Sequence, residues 1–337
     1  MPGRREKDVD YLALSARVRA MENRLLTQER LDRMIDARDT GEAAKVLSEC
    51  GYGELTELTG DALETMLTRA QADLAHDLSS YPQAAAILPV FQCANDYHNA
   101  KVLVKGEALG WDGERMGRLL MPGGRWDPEK LLEDFQKGAL EGYTETFRQA
   151  VGRAREVLGA SGDPQQADFV LDRACYGELT ALAQAAGSPF LQGYAAVLID
   201  AADLRAAVRC ARLGRGSDFM SQVLLDGGNV PAADLLAAGG GGLARLYRGT
   251  PLAKAAELGE TLSAPGSGSL TEFERLCDDG VMDYLRQARR VPFGEEPVIG
   301  YLCARQGEAT AIRTVMSGRM AGLDGATIRS RLRRTYC

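Results

Sequence analysis

Histidine is almost missing from this chain: 337 residues contain His76 and His98 and no other. A proton relay or metal site built on imidazole would have to come from these two. Aromatic residues make up 6%, while Ala and Leu are abundant, which favours helices over sheets. No apolar run approaches the roughly 18 residues that a membrane-crossing helix needs. The opening segment MPGRREKDVDYLALS holds no apolar stretch of signal-peptide length, so no leader is expected. The seven cysteines, Cys50, Cys93, Cys175, Cys210, Cys277, Cys303 and Cys337, are odd in number, scattered, and never spaced Cys-x-x-Cys. They are expected to be reduced, mostly buried small residues of a cytosolic protein. The net charge of −7 leaves no basic excess to neutralise phosphates and argues against a primary nucleic-acid role.

Nucleotide signatures are missing too. The run Gly239 to Gly242 lacks the Gly-Lys-Ser/Thr of a phosphate loop and follows no strand. No dinucleotide or nucleophile-elbow motif occurs. The expectation is no cofactor, no metal and no catalytic residue. What remains, with 45% hydrophobic and 26% charged residues, is an ordinary globular composition.

The positive signal is internal repetition, which has to be settled before any motif is weighed. Asp96 is followed by Lys101 and Gly110, Asp200 by Arg205 and Gly214, and Glu308 by Arg313 and Gly322. Each copy keeps an acid, a base five residues on and a glycine fourteen residues on. The first two copies share more. Gly123-Gly124 and Gly227-Gly228 both fall 27 and 28 residues past the acid, and Leu131-Leu132 and Leu235-Leu236 start seven residues after the second glycine. Agreement over so long a stretch marks a duplication.

Taken in order, residues Asp8 to Asp39 read as one long helix with Tyr11, Leu14, Val18, Met21, Leu25 and Leu26 on one face. Asp61 is the expected N-cap of the helix that follows, with Glu64 three residues on. Leu88 to Ala108 carries the first acid. Ser188-Pro189 caps and opens the second long helix, and Pro297 opens the third. The segment Cys175-Tyr176-Gly177-Glu178-Leu179 echoes the break at Gly51-Tyr52-Gly53-Glu54-Leu55. A basic helix, IRSRLRRTY, ends the chain.

A step of about 100° per residue sets each acid beside apolar positions. They are Ala100, Leu103 and Val104 in the first copy, Leu204, Ala207 and Val208 in the second, and Ile312, Val315 and Met316 in the third. The base lies about 140° away on the flank, too far round to pair with its own acid. A carboxylate on a packing face needs a partner. Either groups of a neighbouring repeat supply it, knitting three bundles into a ring or funnel, or the acid reaches water at the helix edge. Catalysis does not fit, because equivalent positions in equivalent repeats do not separate the pKa values of an acid and a base.

These residues resemble a known family, the C subunits of the bacterial and archaeal V/A-type rotary ATPases, related to the d subunit of eukaryotic V-ATPases. The resemblance is carried by Tyr11, Arg17, Arg19, Glu22, Leu25 and Leu26, by Asp96 to Lys101, and by Asp200 to Arg205. At the C-terminal end Pro297, Tyr301, Glu308, Ile312-Arg313, Ser317-Gly318 and Ile328-Arg329 carry it. Asp203 departs from it, since the family usually has Asn there.

The resemblance implies an all-α fold of three similar helical-bundle subdomains in a pseudo-threefold, funnel-shaped arrangement. The divisions are expected at 1–125, 126–236 and 237–337. It implies a non-enzymatic part of the central stalk, cytoplasmic and peripheral to the membrane. Such a part links the D-type and F-type shaft subunits to the membrane proteolipid ring and transmits torque between ATP chemistry and proton or sodium transport. Candidate interaction residues are Arg329, Arg331, Arg333 and Arg334 of the basic C-terminal helix, with Arg17 and Arg24 of the first helix. Candidate structural residues are Asp96, Lys101, Asp200, Arg205, Glu308 and Arg313. Two other classes compete: a helical repeat scaffold binding proteins outside any rotary machine, and a helical enzyme using Asp96, Asp200 or Glu308.

Overall fold

The Ala- and Leu-rich, aromatic-poor composition folds as it predicts. A computed structural model describes residues 10–337, and every regular element among them is helical. The elements are α1 (Leu12–Glu22), α2 (Gln28–Asp36), α3 (Thr40–Glu49), α4 (Gly60–Ser79), α5 (Pro82–Ala108) and α6 (Gly113–Gly117). Then come α7 (Pro128–Lys137), α8 (Glu145–Ser161), α9 (Pro164–Ala185), α10 (Pro189–Arg212), α11 (Ser217–Val223) and α12 (Ala232–Ala238). The last are α13 (Leu243–Leu246), α14 (Ala253–Leu262), α15 (Thr271–Leu285), a 3-10 turn over Arg286–Arg290, α16 (Glu295–Met320) and α17 (Gly325–Arg331). The chain divides into two compact units. One comprises Met1–Ala84, Ala211–Gly214 and Gly240–Cys337; the other comprises Ala85–Cys210 and Arg215–Gly239.

In the first unit the two ends of the chain share one core. Leu31, Met34, Leu47 and Leu63 from α2 to α4 pack with Ile312, Val315 and Met316 of α16 and Ile328 of α17. The fit is reinforced where backbone would otherwise lack partners. Arg319 near the end of α16 donates to the carbonyls of Ile35 and Ala37 at the end of α2, where the helix dipole favours a cation. The hydroxyl of Ser15 on α1 donates to the Gly294 carbonyl at 2.9 Å, just before α16.

In the second unit α8 and α9 form a hairpin. Gly162 takes a left-handed φ of 66°, and Asp163 then caps α9 through the Gln165 N–H. Helix α5 is tied to both by ion pairs from Lys101 to Asp172 and Lys105 to Asp168 on α9, and from Glu107 to Arg155 on α8. Tyr97, Phe147, Trp126 and Tyr143 pack edge-on and stacked at centroid distances of 4.8 to 5.8 Å.

The repeated glycine does one job three times. Gly110, Gly214 and Gly322 all have left-handed φ, 66°, 62° and 72°. In each case the next residue donates its N–H five residues back: Trp111 to Gly106, Arg215 to Cys210 and Leu323 to Gly318. This is the Schellman ending, which costs other residues strain but not glycine.

Several boundaries differ from the sequence expectation. The first long helix is two helices; Asp8 lies outside the described residues. The chain breaks after Glu22, and Thr27 caps α2 through the Arg30 N–H, because Leu26 delivers its N–H elsewhere, as described below. Thr59, not Asp61, caps α4; its hydroxyl accepts from Ala62 N at 3.2 Å. Cys175 to Leu179 continues α9 without a break, since Gly177 is tolerated inside a helix. Helix α16 starts at Glu295, two residues before Pro297. The terminal basic helix stops at Arg331, so Arg333 and Arg334 lie on the segment after it. Ser188 does cap α10, accepting from Leu191 N at 3.0 Å.

Ile312, fully buried where the N- and C-terminal segments meet, is a sensitive probe of that core. Ile312→Ala is expected to cost about 2–5 kcal/mol, read as a lower urea midpoint with loss of amide protection in α2 and α3. A cost below about 1 kcal/mol would show that the two ends do not share a tightly packed core.

Candidate functional site

All three repeated acids sit on the buried face that the 100° construction assigns them. Asp96, Asp200 and Glu308 are 0%, 1% and 4% exposed. Their apolar neighbours are buried with them: Leu103 and Val104, Leu204 and Val208, Ile312 and Met316. Reaching water at the helix edge is therefore ruled out.

Asp96 is met by the loop that follows α6. Its Oδ1 accepts from the Arg125 backbone N–H at 2.9 Å and its Oδ2 from Arg125 Nε at 2.6 Å. The same guanidinium reaches Glu178 Oε1 on α9 at 2.7 Å and lies over the Trp126 ring at 4.3 Å. Glu178 also accepts from the Tyr97 hydroxyl at 2.8 Å and the Thr144 hydroxyl at 2.9 Å. One arginine thus bridges two carboxylates, a task suited to its planar fork. Burial dominates at Asp96 and pushes its carboxyl up to about 6, against the pull of Arg125. At Glu178 burial is again the largest single influence, but Arg125, Tyr97 and Thr144 together outweigh it and hold the carboxyl low. Near neutral pH both are ionised around a charged arginine.

Asp200 repeats the plan with a backbone amide and an asparagine side chain. Oδ1 accepts from the Val230 N–H at 3.0 Å and Oδ2 from Asn229 Nδ2 at 2.7 Å. Arg125 and Asn229 both lie 29 residues past their acids. The side chain at that position supplies the donor in each copy, and burial raises the Asp200 carboxyl. The paired glycines have separate jobs. The first of each pair, Gly123 or Gly227, has positive φ, 82° or 105°. The second, Gly124 or Gly228, does not; it is small because a Cβ there would collide with Oδ1 of Asp96 or Asp200.

Glu308 is satisfied differently. It accepts from the Leu26 backbone N–H, the Tyr52 hydroxyl at 2.8 Å and Arg305 Nη1 at 2.7 Å. Arg305 stacks over Tyr52 at 4.1 Å. Burial raises the Glu308 carboxyl, opposed by Arg305 and the Leu26 amide.

Of the partners considered from sequence, Glu308 takes groups remote in the chain, Leu26 and Tyr52, which belong to the same compact unit. Asp96 and Asp200 draw on the loop after the short helix that follows their own, and the first node extends to Glu178 through Arg125. Residue spacing did not point to Arg125, Asn229 or Glu178. The readable clue was the matched glycine pair, each followed by a donor side chain.

Two of the three bases pair with acids of other helices. Lys101 bonds Asp172 at 2.5 Å and Arg313 bonds Glu64 at 2.7 Å; Arg205 acts electrostatically on the Tyr176 hydroxyl. Four candidate interaction arginines are engaged within the chain. Arg17 pairs with Asp77, Arg329 with Asp32 and Asp36, Arg333 with Asp278, and Arg334 with Asp283. Arg24 and Arg331 are exposed and form no ion pair among the described residues. His98 lies near the Leu119 carbonyl at 3.3 Å, and both histidines are exposed. Among the described residues no group of three or more His, Cys, Asp or Glu could hold a metal ion, and no helix is long and apolar enough to cross a membrane.

Comparison with known proteins bears on the whole chain. The family model described as "ATP synthase (C/AC39) subunit" matches residues 14–331. The C subunit of the V-type sodium ATPase of Enterococcus hirae is 21% identical over 97% of this chain and 99% of its own length. The C subunit of the A-type ATP synthase of Methanocaldococcus jannaschii is 25% identical over 96% and 86%. The C subunit of the V-type ATP synthase of Thermus thermophilus is 26% identical over 95% and 97%.

Removing Arg125 leaves two buried carboxylates short of donors. Arg125→Met is expected to destabilise the protein by about 3–5 kcal/mol, and Gly228→Ala by about 1–3 kcal/mol through overpacking. Denaturant titration measures both, and an Arg125→Met protein as stable as the wild type would refute the bridging role.

Proposed function

The chain belongs to the ATP synthase (C/AC39) subunit family, and on that premise we propose that it is the non-catalytic central-stalk subunit of a V/A-type rotary ATPase. It links shaft subunits of the D and F types to the membrane proteolipid ring. It transmits torque between ATP hydrolysis or synthesis and proton or sodium transport, from a cytoplasmic position peripheral to the membrane. Its body is three related helical bundles, 1–125, 126–236 and 237–337, in a pseudo-threefold funnel.

The observation that carries this reading is the extent of the match, which spans nearly all of this chain and nearly all of two rotary-ATPase C subunits. The acids support a mechanical role over a chemical one. Asp96, Asp200 and Glu308 are buried and already accept hydrogen bonds from groups of the chain. A general acid or base has to reach its substrate within hydrogen-bond distance, and these cannot. Repeated nodes that lock loops to long helices are what a part under mechanical load requires.

Docking to the shaft and ring then falls to surface groups. Arg24 and Arg331, exposed and outside the internal ion pairs, are the cations of the candidate set left to meet acidic partners. Arg17, Arg329, Arg333 and Arg334 would have to give up an intramolecular carboxylate first.

A tagged chain expressed in its own cell, extracted from membranes in mild detergent, should bring down the shaft subunits and the proteolipid ring. Recovery of the chain without either would refute the proposal. Arg24→Glu and Arg331→Glu should lower that co-purification several-fold, more at low than at high salt, while leaving the melting temperature of the isolated protein unchanged.

A further inference from the structure

The duplicated node contains its own control experiment. Three residues past the acid, the first copy has Asn99 and the second has Asp203. Asn99 clasps Met121 with two bonds. The Met121 N–H donates to Oδ1 at 2.7 Å, and Nδ2 donates to the Met121 carbonyl at 2.8 Å. Asp203 stands in the same relation to Leu225, again 22 residues on, and its Oδ1 accepts from the Leu225 N–H at 2.9 Å. The second half of this clasp has no donor. Asp203 Oδ2 is buried without a hydrogen-bond partner, and the residue is 1% exposed.

An ionised carboxylate offers only acceptors, so it cannot answer a backbone carbonyl where the asparagine amide does. A carboxylic acid can, because its one O–H replaces one N–H of the amide. Burying the ion with one oxygen unpaired is costly; burying the acid with both oxygens engaged is not. We propose that Asp203 holds a proton in the folded protein and donates it to the Leu225 carbonyl, so that the loop from Leu224 to Val230 is sensitive to pH.

The surroundings favour the proton. Asp200 lies one turn back on α10 and Asp226 on the loop itself, and repulsion from both carboxylates raises the Asp203 carboxyl. On α9 the neighbouring titratable group is the Tyr176 hydroxyl, within electrostatic reach of Asp203. Arg173 is spent on the carbonyls of Ser221 and Gln222. Arg205 acts on Tyr176. Burial is the largest influence on Asp203, followed by the opposing Leu225 N–H and then the two aspartates; together they push it up to about 7.

The sign follows from linkage. The folded state binds this proton more tightly than the unfolded chain, whose aspartate titrates near 3.9. The stability owed to Asp203 is therefore complete below about pH 4, falls as pH rises toward about 7, and levels off above that. Asp203→Asn supplies the missing donor permanently. It is expected to melt at a higher temperature than the wild type at pH 7.5. The ratio of its folding equilibrium constant to the wild type's should grow by up to about tenfold per pH unit between pH 4 and 7. Asn99→Asp should install the same pH dependence in the first copy. Infrared difference spectra of wild type against Asp203→Asn at pH 6 should show a protonated carboxyl stretch that the variant lacks. The proposal is overturned by stability profiles that run parallel with pH. It is equally overturned by an Asp203→Asn protein that is less stable or unfolded at pH 7.5, or by the absence of that stretch.

Discussion

The structure turns on one constraint: a negative charge placed on the packing face of a long helix has to be met by donors before the face can close. Removing a carboxylate from water costs several kcal/mol unless hydrogen bonds and counter-charge replace the lost hydration. At Asp96 and Asp200 the donors come from one device, the loop that follows a short helix. A left-handed glycine turns the chain, a second glycine brings the backbone against the carboxylate, and the residue 29 beyond the acid donates through its side chain. The acid and the glycine pair are halves of one contact, which is why they recur together. The side chain at the donor position can differ, Arg in one copy and Asn in the other, because either reaches the same oxygen.

Glu308 obeys the constraint with other materials, and the consequence is larger. Its partners include the Leu26 amide and the Tyr52 hydroxyl, 282 and 256 residues away in sequence. An amide that bonds a distant carboxylate is lost to the helix ladder, so the N-terminal segment breaks between α1 and α2 where the hydrophobic pattern alone predicts continuity. The break has a structural use: it joins the first and last segments of the first unit around a single charge. Arg305, stacked on Tyr52, keeps that charge from being buried alone.

Much of this was legible in residue spacing. The periodicity set each acid among its buried neighbours and each base on the flank, and both assignments hold at Asp96, Asp200 and Glu308. The glycine fourteen residues on was readable as a stop because only one residue type takes positive φ without strain. Partner identity was not readable. Periodicity reports which face a residue occupies, not what the opposite surface brings to it, and Glu178 or Leu26 could be found only by folding the chain. Caps failed where two candidates stood close together, as with Thr59 and Asp61. The terminal arginines misled for a related reason: a basic stripe looks like a docking surface until the acidic helix beside it, with Asp278 and Asp283 on α15, is in place.

What such nodes contribute is better sought in geometry than in net stability. A buried ion pair replaced by well-packed apolar groups often leaves a protein as stable as before, so stability alone does not call for Asp96, Arg125 and Glu178. Apolar contacts, however, are non-directional, and a glycine-rich loop held by them alone could settle in neighbouring positions. Hydrogen bonds to a fixed carboxylate allow one position only. Under the proposed role this difference matters, since a part that passes torque loses work to every internal slip. Three charges locked at the centres of long helices would leave the load no soft joint at the loops, where a helical protein is otherwise most compliant.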